Sequence, residues 1–157
     1  MNTRIYPIDI SILIKPIWFD RVPTGKIGIN GNIKDFEVQQ ETWFDFKFEG
    51  VLNETCQIRV EHYGKTDSDT DIINNRDTAL IVEQVKLNEF NNPKFAWAGK
   101  YQPNYPEGWI NQNKGAKLQK ILSPHTYLGW NGVWTLDITL PVYTWIHQID
   151  GLGWIYD

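Results

Sequence analysis

The sequence predicts an all-β protein, an antiparallel β-sandwich of jelly-roll type, on three observations. Apolar and polar residues alternate with period two in Trp43 to Glu49, Thr55 to Tyr63 and Trp134 to Leu140, as on strands that bury one face. Turn signals such as Asn30-Gly31, Asn91-Asn92-Pro93 and Asn131-Gly132 separate these runs. Helical spacing of apolar residues is not sustained beyond two turns, and 114–122 is the one stretch that suits a helical turn. About eight to ten short strands with regular turns are what a sandwich needs.

The first strand places Ile8, Ile10, Ile12 and Ile14 on one face and resumes with Ile17, Trp18 and Phe19 after Pro16. A proline has no N–H for a ladder, so an edge or bulge is expected there. Val22-Pro23-Thr24-Gly25 reads as a turn, and Ile27, Ile29 and Ile33 flank Asn30-Gly31 in a hairpin. Phe44, Phe46 and Phe48 face a core and Asp45, Lys47 and Glu49 face water; Cys56, Ile58 and Val60 repeat the pattern after the turn Leu52-Asn53-Glu54. These two strands are expected to form a second hairpin. Ala79-Leu80-Ile81-Val82 is apolar on both faces, with an irregularity expected at Glu83-Gln84 before Val85 and Leu87.

Lys94 to Tyr101 suits a strand, and 102–124 is a long connection. Connections beyond about 12 to 15 residues are more often functional than idle. From Trp134 to Leu140 the alternation marks a central strand, with Trp134, Leu136, Ile138 and Leu140 inward. Pro141 is expected to turn a corner between sheets before Val142 to Ile146 continues the strand, and Trp154-Ile155-Tyr156 closes the fold. Trp43, Trp134 and Trp145 lie inside these strand patterns and are assigned to the core.

A chain of 157 residues that is 41% hydrophobic suits a single β-sandwich domain spanning 1–157. A net charge of -4 and a pI near 5.3 argue against nucleic acid as a partner, because phosphate backbones are met by basic patches. No apolar run approaches the roughly 20 residues that span a bilayer, so no membrane is expected. The N-terminal segment has short apolar stretches cut by Asp9, Ser11 and Lys15 and no small-residue cleavage site. Synthesis in a cytoplasm without a signal peptide is the expectation. The single cysteine, Cys56, alternates with Ile58 and Val60 and reads as a small buried hydrophobe.

Eight Trp, seven Tyr and seven Phe amount to 14% of the chain, well above ordinary composition. Trp97, Tyr101, Tyr105, Trp109 and Trp130 fall near loops rich in Pro, Asn and Gly. Flat rings stack on the C–H faces of sugars while Asn, Gln and Asp reach the hydroxyls, so these are candidate polysaccharide-binding residues. The same rings suit a core under the long connection or a contact with another protein. Asp67, Asp69, Asp71 and Asp77 form a second constellation. Oxygen ligands so spaced suit calcium, although Ile72 and Thr78 stand where an EF-hand needs glycine and glutamate. A solvated turn capped by its own Asp and Asn side chains is the alternative.

No catalytic constellation stands out. His62, His125 and His147 have no metal-ligand spacing, and no serine occupies a nucleophile motif. A glycosidase would need two carboxylates across a cleft, for which Glu61, Glu83 and Asp137 are the strand-borne candidates.

Two resemblances enter on particular strings. PKFAWAGKYQPNYPEGW, from Pro93 to Trp109, and the segment from Tyr127 to Asp157 resemble stretches of small uncharacterised proteins of marine tailed cyanophages. That implies a phage-encoded protein made in a host cytoplasm, with association with the virion as one outcome. The string HYGKTDSDTD and the strand bearing Leu80, Val82, Val85, Leu87 and Asn88 are similar to calcium-dependent xylan-binding modules. Those modules are jelly rolls with a polar metal loop, which implies Asp67, Asp69, Asp71 and Asp77 as metal ligands. They also use a disulfide near the metal, which one cysteine cannot supply. Taken together, a non-catalytic module that binds a polysaccharide through aromatic loops is the first expectation. A structural or accessory virion protein whose rings contact other virion proteins, or further copies in a homo-oligomer, is the second.

Overall fold

The computed structural model describes residues 4–105 and 120–151. Trp109, most of the expected helical turn at 114–122 and the expected closing strand at 154–156 lie outside the described residues. Among the described residues, one antiparallel sheet has the order β4 (Thr42–Gly50), β1 (Tyr6–Ile17), β6 (Ala79–Leu87), β7 (Phe90–Asn91), and β9 (Tyr127–Leu128) also pairs with β6. The other has the order β3 (Asn32–Glu37), β2 (Thr24–Ile29), β5 (Thr55–Tyr63), β10 (Gly132–Thr139), β8 (Lys100–Pro103). The chain changes sheets at every connection between these strands except β2 to β3 and β6 to β7.

The alternating residues meet between the sheets as expected. Ile8, Ile10, Ile12 and Ile14 of β1 pack with Cys56, Ile58 and Val60 of β5, Leu80, Val82, Val85 and Leu87 of β6, and Trp134, Leu136 and Ile138 of β10. β10 is interior, with β5 on one side and β8 on the other. The irregularity expected near Glu83 is present: Leu13 pairs with Gln84 but Ile14 pairs with Val82, so Glu83 is the extra residue of a bulge. That single insertion lets Leu80 and Val82 face the same core as Val85 and Leu87. Pro16 lies beyond Ile14↔Thr42, where the β4 ladder ends, so it removes no donor from that pairing. Asn30 and Gly31 take φ of 47° and 88° and join β2 to β3, the left-handed pair that a tight hairpin turn requires. Cys56 is fully buried, and burial, with the nearby Glu54 charge, pushes its thiol up to about 12.

Four expectations are corrected. β4 and β5 do not form a hairpin; β4 pairs with β1 and β5 with β2 and β10, so Leu52-Asn53 carries the chain from one sheet to the other. Val142 to Ile146 is no strand but part of a helix, α2 (Val142–Ile149). Val142, Trp145 and Ile146 are spaced so that one helical stripe is buried, with Pro141 preceding the first turn. Lys94 to Tyr101 splits into a short helix, α1 (Pro93–Trp97), capped by the Asn92 side chain on the Lys94 amide, and then β8. Its Phe95 meets Trp145 of α2 with ring centroids 5.7 Å apart, so the two helices cover one end of the sandwich. Trp43 is not core; it is 44% exposed because it lies on the outer face of β4 with Asp45 and Lys47, while Phe44, Phe46 and Phe48 are half-buried. No helix among the described residues is long and apolar enough to cross a membrane.

Between α1 and β8 sits Gly99, where an added Cβ would lie 2.2 to 2.5 Å from three atoms of the Trp134 indole. Trp134 is fully buried and cannot swing aside. Gly99→Ala is therefore expected to destabilise by about 1–3 kcal/mol through overpacking. Urea unfolding checks this: the midpoint falls while the slope stays constant.

Candidate functional site

At the end of the sandwich where β8, β9 and the start of β10 meet, the segment 125–131 crosses the sheets with only two residues in strand geometry. It is held by donors acting on its carbonyls. The Trp134 indole N–H donates to His125 O at 2.9 Å, His62 Nδ1 to Leu128 O at 2.8 Å and Lys65 Nζ to Gly129 O at 2.5 Å. The Tyr101 hydroxyl donates to Trp130 O, and the Asn104 amide to Asn131 O at 2.6 Å. Asn131 in turn clasps Lys65, accepting from its amide and donating to its carbonyl at 2.9 Å each. A segment with few ladder bonds is thereby fixed in place.

The fixed segment forms one wall of a groove of about 270 Å³. Tyr105, Tyr127 and Trp130 line it, with His125 and Leu122 toward one end. It runs past Tyr105 and Trp130 into a polar hollow with Asn104 and Asn131, and past His125 and Tyr127 onto a shallow surface that reaches Trp97. Tyr101 is 1% exposed and forms the floor, stacked flat on His125 at 5.3 Å with the planes 7° apart. Leu122 pairs with Tyr101 through both backbone bonds, so the end of the long connection closes one side.

Lys65 and Asp77 supply the charge. The Lys65 side chain is 3% exposed, its ammonium bonded to Asp77 at 2.6 Å and lying 5.0 Å from the centroid of the Trp130 ring. Asp77 also accepts from Thr70 Oγ1 at 2.9 Å and Tyr127 Oη at 3.0 Å. Burial opposes ionisation of Asp77, but Lys65, the Thr78 amide and Thr70 outweigh it and hold the carboxyl below its usual value. Tyr127 responds the other way: burial and the Asp77 charge push its hydroxyl up to about 12, so it stays a donor.

The structure thus gathers Trp97, Tyr101, Tyr105 and Trp130 at one end of the molecule, with Tyr101 beneath rather than beside the others. Trp109 lies outside the described residues. Lys65, His125 and Tyr127 are groove residues that sequence reasoning passed over. A lone lysine and a lone histidine carry no pattern, and Tyr127 lies before the alternation that marks the strand from Trp134.

The four aspartates separate. Asp69 is bonded to Arg21 and to the Thr66 amide at 2.8 Å; Asp71 is bonded to Arg76 at 2.7 Å and Asn74 at 2.8 Å; Asp77 belongs to Lys65. Asp67 opens a one-turn 3-10 helix and is exposed. Burial disfavours the Asp69 charge, yet Arg21 and Thr66 hold its carboxyl below the usual range, and Asn74 and Arg76 draw Asp71 down to about 2. Among the described residues no three His, Cys, Asp or Glu side chains converge on a point that could hold a metal ion. Calcium needs six to eight converging oxygens, and this donor set, with Asp69, Asp71 and Asp77 each turned toward its own cation, does not fit it.

No protein-family model and no curated protein matches the chain. Among solved structures, a vCBM60 in complex with galactobiose is similar, at 11% sequence identity over 83% of this chain and 99% of that one, with a TM-score of 0.48. At that score the chemistry of the groove has to be read from its own side chains.

His62, 1% exposed, gives the site a pH signature. Burial lowers its pKa from 6.5, more than the Leu128 bond raises it. The unfolded chain therefore takes up this proton at a pH where the folded chain does not, and stability falls as pH drops below about 6.5. Asp69 and Asp77, held below 3.8 in the folded chain, add a second loss below that value. Urea midpoints measured from about pH 8 to pH 3 are expected to fall in these two stages. His62→Asn, which retains a donor for Leu128 O, removes the first stage only.

Proposed function

We propose that this chain is a non-catalytic module that binds a polysaccharide in the groove between Trp97 and Asn131. The observation that carries the reading is the row of rings flanking a fixed polar cluster. Trp97 is 60% and Tyr127 37% exposed, and Tyr105 and Trp130 are partly so, beside Asp77, Asn104 and Asn131. Rings offer planes to sugar C–H faces, while the amides and carboxylate meet hydroxyls, a division of labour common to sugar sites. The carbonyl bonds to segment 125–131 set those groups in place before a ligand arrives, which lowers the entropy lost on binding. Binding rather than hydrolysis is favoured because Asp77 is held ionised by Lys65 and so makes a poor general acid. The likeness of 93–109 and 127–157 to cyanophage proteins supports a phage-encoded module, whose targets would be algal or bacterial surface glycans.

Intrinsic tryptophan fluorescence and thermal unfolding against a panel of algal and bacterial polysaccharides test this. A ligand that prefers the native state raises Tm. Trp97→Ala and Trp130→Ala are each expected to weaken binding by about tenfold, roughly 1.4 kcal/mol, and Trp97→Ala to leave Tm unchanged because its ring is exposed. Unaltered affinity in both variants would sink the groove as the site. EDTA is expected to change neither Tm nor affinity; a rise in Tm on adding calcium would restore the Asp67 to Asp77 loop as a metal site.

One observation favours assembly as a second reading. Ile72 and Ile73 are 88% and 94% exposed at the tip of a turn closed by Asp71 and Arg76. Paired apolar side chains held out on a firm turn suit contact with a virion protein or another copy. Light scattering of the wild type and of Ile72→Ser/Ile73→Ser would show a change in mass only if that reading holds.

A further inference from the structure

We propose that a second cavity, which borders Lys65 as the aromatic groove does, binds a primary ammonium group, as carried by an amino sugar or a simple amine. The cavity measures about 520 Å³ and lies between the loop through Arg21 and Thr24 and the strand end at His62 and Tyr63. Among described residues it shares only Lys65 with the groove.

Three buried polar side chains line it, His62, Asp69 and Thr78, and Asp69 is already bonded to Arg21 and to the Thr66 amide. Thr78 is 3% exposed, and its Oγ1 has no hydrogen-bond partner. His62 spends Nδ1 on the Leu128 carbonyl at 2.8 Å. A carbonyl only accepts, so the proton sits on Nδ1 and Nε2 keeps a lone pair. Thr78 and His62 are thus both ready to accept hydrogen bonds, and a buried polar atom without a partner is rare enough in folded proteins to point to a ligand or water.

Charge selects the kind of donor. Both cations on the wall are already used, Arg21 by Asp69 and Lys65 by Asp77. Asp20 and Glu37 line the cavity, are exposed, and enter no ion pair among the described residues. The uncompensated charge is therefore negative, which repels phosphate or carboxylate ligands. An ammonium group brings three N–H donors and one positive charge, matching the lone pair, the free hydroxyl and the acidic rim. A neutral sugar would satisfy the hydroxyl but gain nothing from Asp20 and Glu37.

The test uses the whole chain labelled with ¹⁵N-histidine, at about pH 7, where His62 is neutral. Glucosamine, ethanolamine, glucose and N-acetylglucosamine are titrated separately, following the His62 Nε2 resonance and Tm. Glucosamine and ethanolamine are expected to move the resonance and raise Tm, while glucose and N-acetylglucosamine do neither. A response to glucosamine well above that to ethanolamine assigns the source as an amino sugar, and equal responses assign a free amine. Thr78→Val should weaken glucosamine at least tenfold. Glu37→Gln, at an exposed position that cannot compromise folding, should weaken it severalfold and flatten its salt dependence. Trp97→Ala, at a position that touches neither Lys65 nor this cavity, should leave glucosamine binding intact, so failure of the groove reading is separable from failure here. A resonance unmoved by either amine, as in a cavity holding water alone, or moved equally by glucose, overturns the proposal.

Discussion

Buried donors aimed at the carbonyls of residues 125–131 are what the working end of this protein depends on. Trp134, His62, Lys65 and Tyr101 come from β10, from β5, from the loop after β5 and from β8, yet all bond to one short segment. Each donor would be costly to bury unpaired, and each carbonyl would be too. The bonds therefore fix both partners: the segment cannot leave its place without stranding the Trp134, His62 and Tyr101 donors in the interior and leaving Lys65 with Asp77 alone. The aromatic groove and the second cavity both border Lys65, so this arrangement bears on each.

The sandwich was legible in the sequence wherever period two held. The Ile8 to Ile14 run, the Cys56 to Val60 run and the Trp134 to Ile138 run all face the core. Alternation says which face is buried but not which strand lies alongside. That is why β4 and β5, adjacent in sequence and similar in pattern, were paired in expectation and lie in different sheets in fact. Val142, Trp145, Ile146 and Ile149 do carry helical spacing, but over only two turns, and a preceding strand made continuation the easier reading. Trp43 shares the face of Asp45, Lys47 and Glu49, so alternation itself places it outside, whereas Trp134 shares the face of Leu136 and Ile138 and is buried; assigning both to the core passed over that difference.

The candidate site was half legible. Ring-bearing residues near Pro, Asn and Gly were visible, and four of the five come together. What fixes them was not, because Lys65 reaches Gly129, 64 residues away, and Tyr127 reaches Asp77, 50 away. The acidic loop shows the converse. Counting carboxylates suggested calcium, whereas Arg21, Lys65 and Arg76, unremarkable in sequence, take one aspartate each. A carboxylate's partner is a matter of tertiary placement, and spacing along the chain says little about it.

The repeated passage between sheets bears on how the molecule forms. β1 pairs with β4 and β6, and β5 waits for β10, whose residues are Gly132–Thr139. Nearly every ladder thus closes a long loop, and only β2 to β3 and β6 to β7 are joined by tight turns. Closing such loops costs entropy before any packing offsets it, so folding belongs in the millisecond-to-second range typical of β-sandwiches. During synthesis β5 has no β10 to cover its free edge until late, and Trp134 completes the core only then. A nascent chain that has released β6 but not β10 exposes an apolar sheet, and that interval is when this protein is most open to misassociation.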